Sequence, residues 1–135
     1  MMNGIESDQI AKLFNCKNLV YVATLMRDGS PQVTPTWVDV EGDIILVNTA
    51  EGRVKQRNLS RDPRVAISVV DHSNPYEMVT IRGRVVEQTN NGADEHLNKL
   101  AKKYLGLDEY PFRRAGEKRV ILKIQPQRIF HQKPR

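Results

Sequence analysis

At 135 residues, 39% of them apolar and 27% charged, with a formal charge of +5, the chain has the size and composition of one soluble globular domain spanning 1–135. Such a domain buries roughly 65–70% of its unfolded surface, and the composition excludes disorder. Apolar runs such as LVYVATL (19–25) are too short to span a bilayer; Cys16 is the only cysteine, which excludes a disulfide or a CxxC pair; and His72, His96 and His131 are too dispersed to suggest a metal site. The N-terminal MMNGIESDQI has neither a basic n-region nor an apolar h-region, which predicts a cytoplasmic chain with no membrane partner.

In chain order, Ile5 to Phe14 predicts a helix with Ser7 as N-cap. LVYVATL and QVTPTWVDV (32–40) predict two strands of a hairpin turned at Asp28-Gly29. Pro35 cannot donate to a ladder, so it belongs on an edge, at a bulge or beside a ligand. Asp39, Glu41 and Asp43 surround the next turn and are expected to be solvated, and IILVNT (44–49) is the third strand. A short helix follows from Gly52 to about Ser60, then RVAISVV (64–70) as a fourth strand after Asp62-Pro63. MVTIRGRVVEQT (78–89) is a fifth, with Gly83 at a bend or close approach. Ala93 to Leu105 places apolar residues at helical spacing and stops at Gly106. RVILKI (119–124) is the sixth strand, ending by Pro126. Six short strands joined by tight turns predict a mainly β fold, a six-stranded antiparallel barrel, closed or partly closed, with two to three flanking helices.

NTAEGRVKQRN (48–58) carries the main chemical signal. It sets Arg53 and Lys55 in the first turn of a helix, where the macrodipole opposes cations by some tenths of a kcal/mol each. With Gly52, Asn48, Thr49 and free backbone N–H groups they form a preformed pocket suited to a phosphate. A polar helix with solvated side chains is the competing reading, and it is preferred for Arg57, Arg61 and Arg64. Neither GxxxxGK[ST] nor GxGxxG occurs, so the pattern names no nucleotide.

The order DGxPQ, PxW, NTxxGRxKxRNLxRDPRV and a later strand with xGRV resembles the pyridoxamine 5′-phosphate oxidase-like, FMN-binding split-barrel superfamily. It is most similar to the small proteins that use the deazaflavin coenzyme F420. The resemblance implies a six-stranded split β-barrel and a homodimer with cofactors at the subunit interface. It implies a cofactor phosphate on Arg53 and Lys55, assisted by Thr49 and Asn58. The tricyclic ring would lie along Gln32, Val33, Thr34, Pro35, Thr36 and Trp37 and along Val47 and Asn48. The partner's fifth strand near Tyr76 and Met78, and the segment around His131, would close the site. On the residues alone, the preferred reading of Gln32 to Trp37 is an ordinary twisted edge strand with Trp37 in the core, and Met78 reads equally as core packing.

No nucleophile–base pair or carboxylate pair stands out, so no catalytic side chain is assigned; a cofactor enzyme needs none. The resemblance implies a reductase transferring hydride between reduced F420 and a small conjugated acceptor. The alternatives are an FMN-dependent oxidoreductase of the same fold or a non-catalytic F420-, flavin- or haem-binding protein. Residues 113–135 hold eight Lys or Arg against one acid, Glu117, a net +7. Their one aromatic, Phe130, makes no base-stacking surface, so a solvated rim is expected in place of a nucleic-acid partner.

Overall fold

Alternating apolar residues and glycine-bearing turns fold most of this chain into antiparallel strands. A computed structural model describes residues 4–133. Its elements run α1 (Asp8–Asn15), β1 (Val20–Leu25), β2 (Pro31–Thr36), β3 (Asp39–Glu41), β4 (Ile44–Ala50), α2 (Val54–Arg61), β5 (Arg64–Asp71), β6 (Asn74–Thr89), α3 (Ala93–Leu105) and β7 (Arg119–Gln132). All seven strands form one sheet in the order β2-β1-β5-β6-β7-β4-β3.

The structure has seven strands where the sequence suggests six, because the run 32–40 breaks in the middle. Tyr104 of α3 accepts the Val38 N–H at 3.2 Å, and Lys103 donates to the Val38 carbonyl at 2.8 Å. Trp37 stacks flat on the Tyr104 ring, centroids 5.3 Å apart. With both backbone groups of Val38 taken by a helix, no ladder passes through it, and β2 and β3 become the two edges of the sheet. Those edges are consecutive in the chain. Residues 36 and 39 are at most about 11 Å apart, against about 4.8 Å for paired strands. The sheet therefore rolls round until its edges nearly meet, leaving a split.

The rolled interior is one core. It takes Val20 and Val22 from β1, Ile45 and Val47 from β4, Ile67 and Val69 from β5, Val79 and Ile81 from β6, and Leu122 and Ile124 from β7. Leu13 and Phe14 of α1 and Leu59 of α2 close it. α1 begins after Ser7 as expected, although the Ser7 hydroxyl makes no cap bond. α3 packs on the other side of β4, over Leu46 and Ile121.

Pro126 does not end the last strand. The β6–β7 register shifts between Arg82 and Gly83, which pairs with Pro126, and the ladder resumes at Arg82 and Arg128. A Cβ on Gly83 would lie 2.4 Å from the Gln125 carbonyl oxygen, so glycine is what lets the strands approach there. β2 is inverted in polarity. Cross-strand pairing sets Gln32, Thr34 and Thr36 on the inner face with Thr24, Val22 and Val20, while Val33 and Pro35 lie outside with Ala23 and Tyr21. Val33 is 59% exposed. Pro35 sits on an edge strand, where its missing N–H costs no ladder bond.

Candidate functional site

β4 alternates, so Val47 and Thr49 face the barrel interior while Asn48 faces α3. The two sides differ in chemistry. Inside, Val47 is core, and the fully buried Thr49 hydroxyl has no hydrogen-bond partner among the described residues. The buried Thr34 hydroxyl on β2 has none either.

After β4 the chain turns through Gly52, at φ +90, a conformation that favours glycine. Its N–H donates to Gln56 Oε1 at 2.9 Å, which satisfies one donor near the start of α2. Arg53 is the N-cap, so α2 begins one residue later than the pattern suggests, and Lys55 remains in its first turn. Lys55, Asn58 and Leu59 make the buried face of α2, and Arg57 points outward. Asn58 donates to Thr24 Oγ1 at 2.9 Å, Thr24 Oγ1 lies 3.5 Å from Gln32 Oε1, and Arg61 donates to Asn58 Oδ1 and to the Leu25 carbonyl. These contacts seat the inner face of α2 over the polar ends of β1 and β2. Arg61 stays exposed, as expected, while its guanidinium is tied to β1.

Lys55 is 9% exposed and makes neither a hydrogen bond nor an ion pair among the described residues. Burial pushes its ammonium pKa down, and the positive charges of Arg53 and Arg119 push it further the same way. A buried, unpaired cation in the first turn of a helix is unfavourable on three counts: desolvation, like charge and the macrodipole. An anion at that spot would reverse each of them.

On the α3 side the polar side chains pair with one another. Asn48 Nδ2 donates to the Ala93 carbonyl at 2.8 Å and lies 3.1 Å from His96 Nδ1, while Asn48 Oδ1 accepts from Arg119 Nε at 2.9 Å. His96 Nε2 lies 3.1 Å from Asp39 Oδ2, which also takes Lys99 Nζ at 3.0 Å. Asp39 is therefore not solvated as expected. Burial would raise its carboxyl, but hydrogen bonds from His96 and Lys99 outweigh that and hold it well below the usual carboxylate range. Glu117 bridges two arginines, accepting from Arg53 at 3.3 Å and from Arg119 at 3.0 Å.

A cavity of about 240 Å³ opens beside the split, between the end of β2 and the α3 side of β4. Pro35, Thr36, Trp37, Asn48 and Arg53 line it, and all five belong to the two segments singled out from sequence. Leu19, Arg119, Tyr110, Leu97 and Leu100 complete its wall and were not. Arg119 hid within the basic segment read as a solvated rim, yet it is 6% exposed. Only the alternation of β7 marked it, since Arg119 lies across the ladder from Ala50 on the α3 side of β4.

The remaining expected residues scatter. Val33 faces outward, and Met78 pairs with Val70 and Gln132 at the far end of β6 from Gly83. Tyr76 is exposed, whereas His131 turns to Glu77, 3.1 Å away, with both side chains largely buried. No group of His, Cys, Asp and Glu suited to a metal occurs among the described residues, and no helix among them is long and apolar enough to cross a membrane.

The family model described as pyridoxamine 5′-phosphate oxidase matches residues 7–133. A solved F420 reductase is 28% identical, with a TM-score of 0.78 over 88% of this chain and 94% of that one. A conserved hypothetical protein of Mycobacterium tuberculosis is 24% identical, with a TM-score of 0.72 over 98% of this chain and 88% of that one. General Stress Protein 26 of Bacillus anthracis is 18% identical, with a TM-score of 0.70 over 95% and 94%. The last two are alike in fold.

Proposed function

The chain belongs to the pyridoxamine 5′-phosphate oxidase family, and on that premise we propose that it is a reductase moving hydride between reduced coenzyme F420 and a small conjugated organic acceptor. The observation that carries the cofactor site is Lys55, a largely buried lysine with no partner among the described residues, whose ammonium pKa is pushed down by burial and by the positive charges of Arg53 and Arg119. A cofactor phosphate on Lys55 and Arg53 supplies the missing anion, and the unpartnered Thr49 hydroxyl is a ready donor to it. Asn58 and Gln32 hold the inner wall of the cradle. The ring belongs at the split, along Thr34, Pro35, Thr36 and Trp37, with Asn48 and Arg119 on the opposite wall. Val47 serves from the core, as backing for β4.

When bound, the deazaflavin supplies the hydride chemistry, and the protein supplies position and electrostatics. Arg53 and Lys55 anchor the phosphorylated arm. Pro35 keeps the backbone at the edge of β2 free of a donor, and Trp37 and Tyr110 exclude water from the cavity mouth. F420 is preferred because the F420 reductase is the relative that shares both fold and 28% of its residues. FMN is the second reading, since the unpaired Lys55 would take any ribityl phosphate.

A homodimer fits the outer face of the sheet. Tyr21 is 46% exposed, Tyr76 57% and Phe130 67%, which with Val33 leaves an apolar face that a second copy would cover. Met78 and Tyr76 would then lie toward the partner. Titrating the protein with F420 and with FMN, followed by quenching of each ring's fluorescence, tests the cofactor. Turnover of reduced cofactor with a panel of conjugated acceptors then separates an enzyme from a carrier. Binding of neither cofactor would overturn the reading.

A further inference from the structure

We infer that His96 is a positioning residue for the cavity: by accepting a hydrogen bond from Asn48 at Nδ1, it fixes the amide that holds the Arg119 guanidinium on the cavity wall, and only neutral His96 does so. The link to binding rests on the reading that this cavity takes the cofactor.

The direction of each bond follows from partners that cannot reverse. Arg119 Nε is only a donor, so the Asn48 atom 2.9 Å from it is the oxygen. The Ala93 carbonyl is only an acceptor, so the Asn48 atom 2.8 Å from it is the NH2 group. That group therefore faces His96 Nδ1 at 3.1 Å, and Nδ1 must accept. The ring's single proton sits on Nε2 and is donated to Asp39 Oδ2 at 3.1 Å. The chain of bonds runs one way, from Arg119 through Asn48 and His96 to Asp39.

A second proton on His96 would set Nδ1–H against the Asn48 NH2 group. Flipping the amide gives no relief, because it would point NH2 at Arg119 and oxygen at the Ala93 carbonyl. Protonation therefore breaks the Asn48–His96 bond and leaves the amide that holds Arg119 tethered at its nitrogen by the Ala93 carbonyl alone. The charged and titratable groups around His96 are Asp39 and Glu41 from β3, Glu95 and Lys99 from α3, and Lys123 and Arg119 from β7, with none on β4. Lys99 donates to the same Asp39 carboxylate oxygen that His96 Nε2 faces.

The test uses ¹⁵N-labelled protein without cofactor, then the same samples with FMN or F420. Expected are a bare Nδ1, a protonated Nε2 and a slowly exchanging Arg119 Nε–H signal, which disappears on acidification together with the change at Nδ1. His96→Gln keeps a donor toward Asp39 but loses the acceptor, so the Arg119 signal should exchange fast and cofactor binding should weaken about tenfold. His96→Asn sets an amide oxygen in place of Nδ1, so it should keep the slow signal and the affinity while losing their pH dependence. A proton found on Nδ1, or Gln and Asn variants that behave alike, would overturn the inference. If neither cofactor binds but the nitrogen and Arg119 signals are as expected, the functional reading fails while the alignment of Arg119 by His96 stands.

Discussion

Asn48 and Thr49 are neighbours on one strand, yet they belong to opposite kinds of structure. The Asn48 side chain has partners at both its nitrogen and its oxygen; the equally buried Thr49 hydroxyl has none. Around Asn48 the protein has finished its own hydrogen bonding, with Arg119, His96, Asp39 and Lys99 in one closed chain. On the Thr49 side, Lys55 is left without an anion of its own, because Glu117 is taken by both of its cationic neighbours, Arg53 and Arg119. Buried polar groups are normally paired, so the finished side reads as framework and the unfinished side as a place kept for a ligand. The same contrast orders the expected effects: substitutions on the finished side act first on stability and reach a ligand only through Arg119, whereas those on the unfinished side act on the ligand directly.

The largest effect is expected on the finished side. Asn48→Ala strands Arg119 Nε and His96 Nδ1, and should lower unfolding free energy by about 3 kcal/mol in a denaturant titration. On the unfinished side, Lys55→Ala should weaken cofactor binding by about 1.5–3 kcal/mol, the scale of a charge-assisted hydrogen bond, measured by fluorescence titration. Loss of the same size from Arg57→Ala would mean that diffuse charge, not the cradle, attracts the ligand.

Acid should expose the Asp39 link. Its carboxyl is held below its ordinary value in the folded state, so its stabilisation is present above about pH 3.9 and fades as pH falls below that. Asp39→Asn should remove about 1–2 kcal/mol of that acid sensitivity in melts taken between pH 5 and pH 3. The smallest change sharpens the contrast most. Thr49→Val removes a hydroxyl that bonds to nothing among the described residues, so stability should shift by less than about 0.5 kcal/mol while cofactor affinity drops by about 1 kcal/mol.

Local signals were legible in the sequence, and long-range captures were not. Asp28-Gly29 turns the first hairpin as its residues dictate, with Ser30 N–H and Oγ both donating to Asp28. Pro35 and Gly83 each mark the edge or close approach that their chemistry demands. Lys55 and Arg53 were visible because their conflict with a helix start is local. The break at Val38 was invisible, because the hydroxyl that captures its N–H comes from Tyr104, 66 residues away. Arg119 was misread for the same reason: its amide partner Asn48 lies 71 residues earlier, and a basic segment looks solvated until the fold buries one member. Asp39 looked like a turn carboxylate because His96 and Lys99 reach it only through α3.

The most direct measurement is a set of thermal melts of the wild type and Lys55→Met over a range of F420 and FMN concentrations. A buried unpaired cation kept for a phosphate predicts a variant that melts higher than wild type when alone, by relief of desolvation and like-charge repulsion. It also predicts that cofactor concentrations raising the wild-type midpoint leave the variant unmoved. A variant that melts lower alone, or that cofactor stabilises as strongly as wild type, would contradict it.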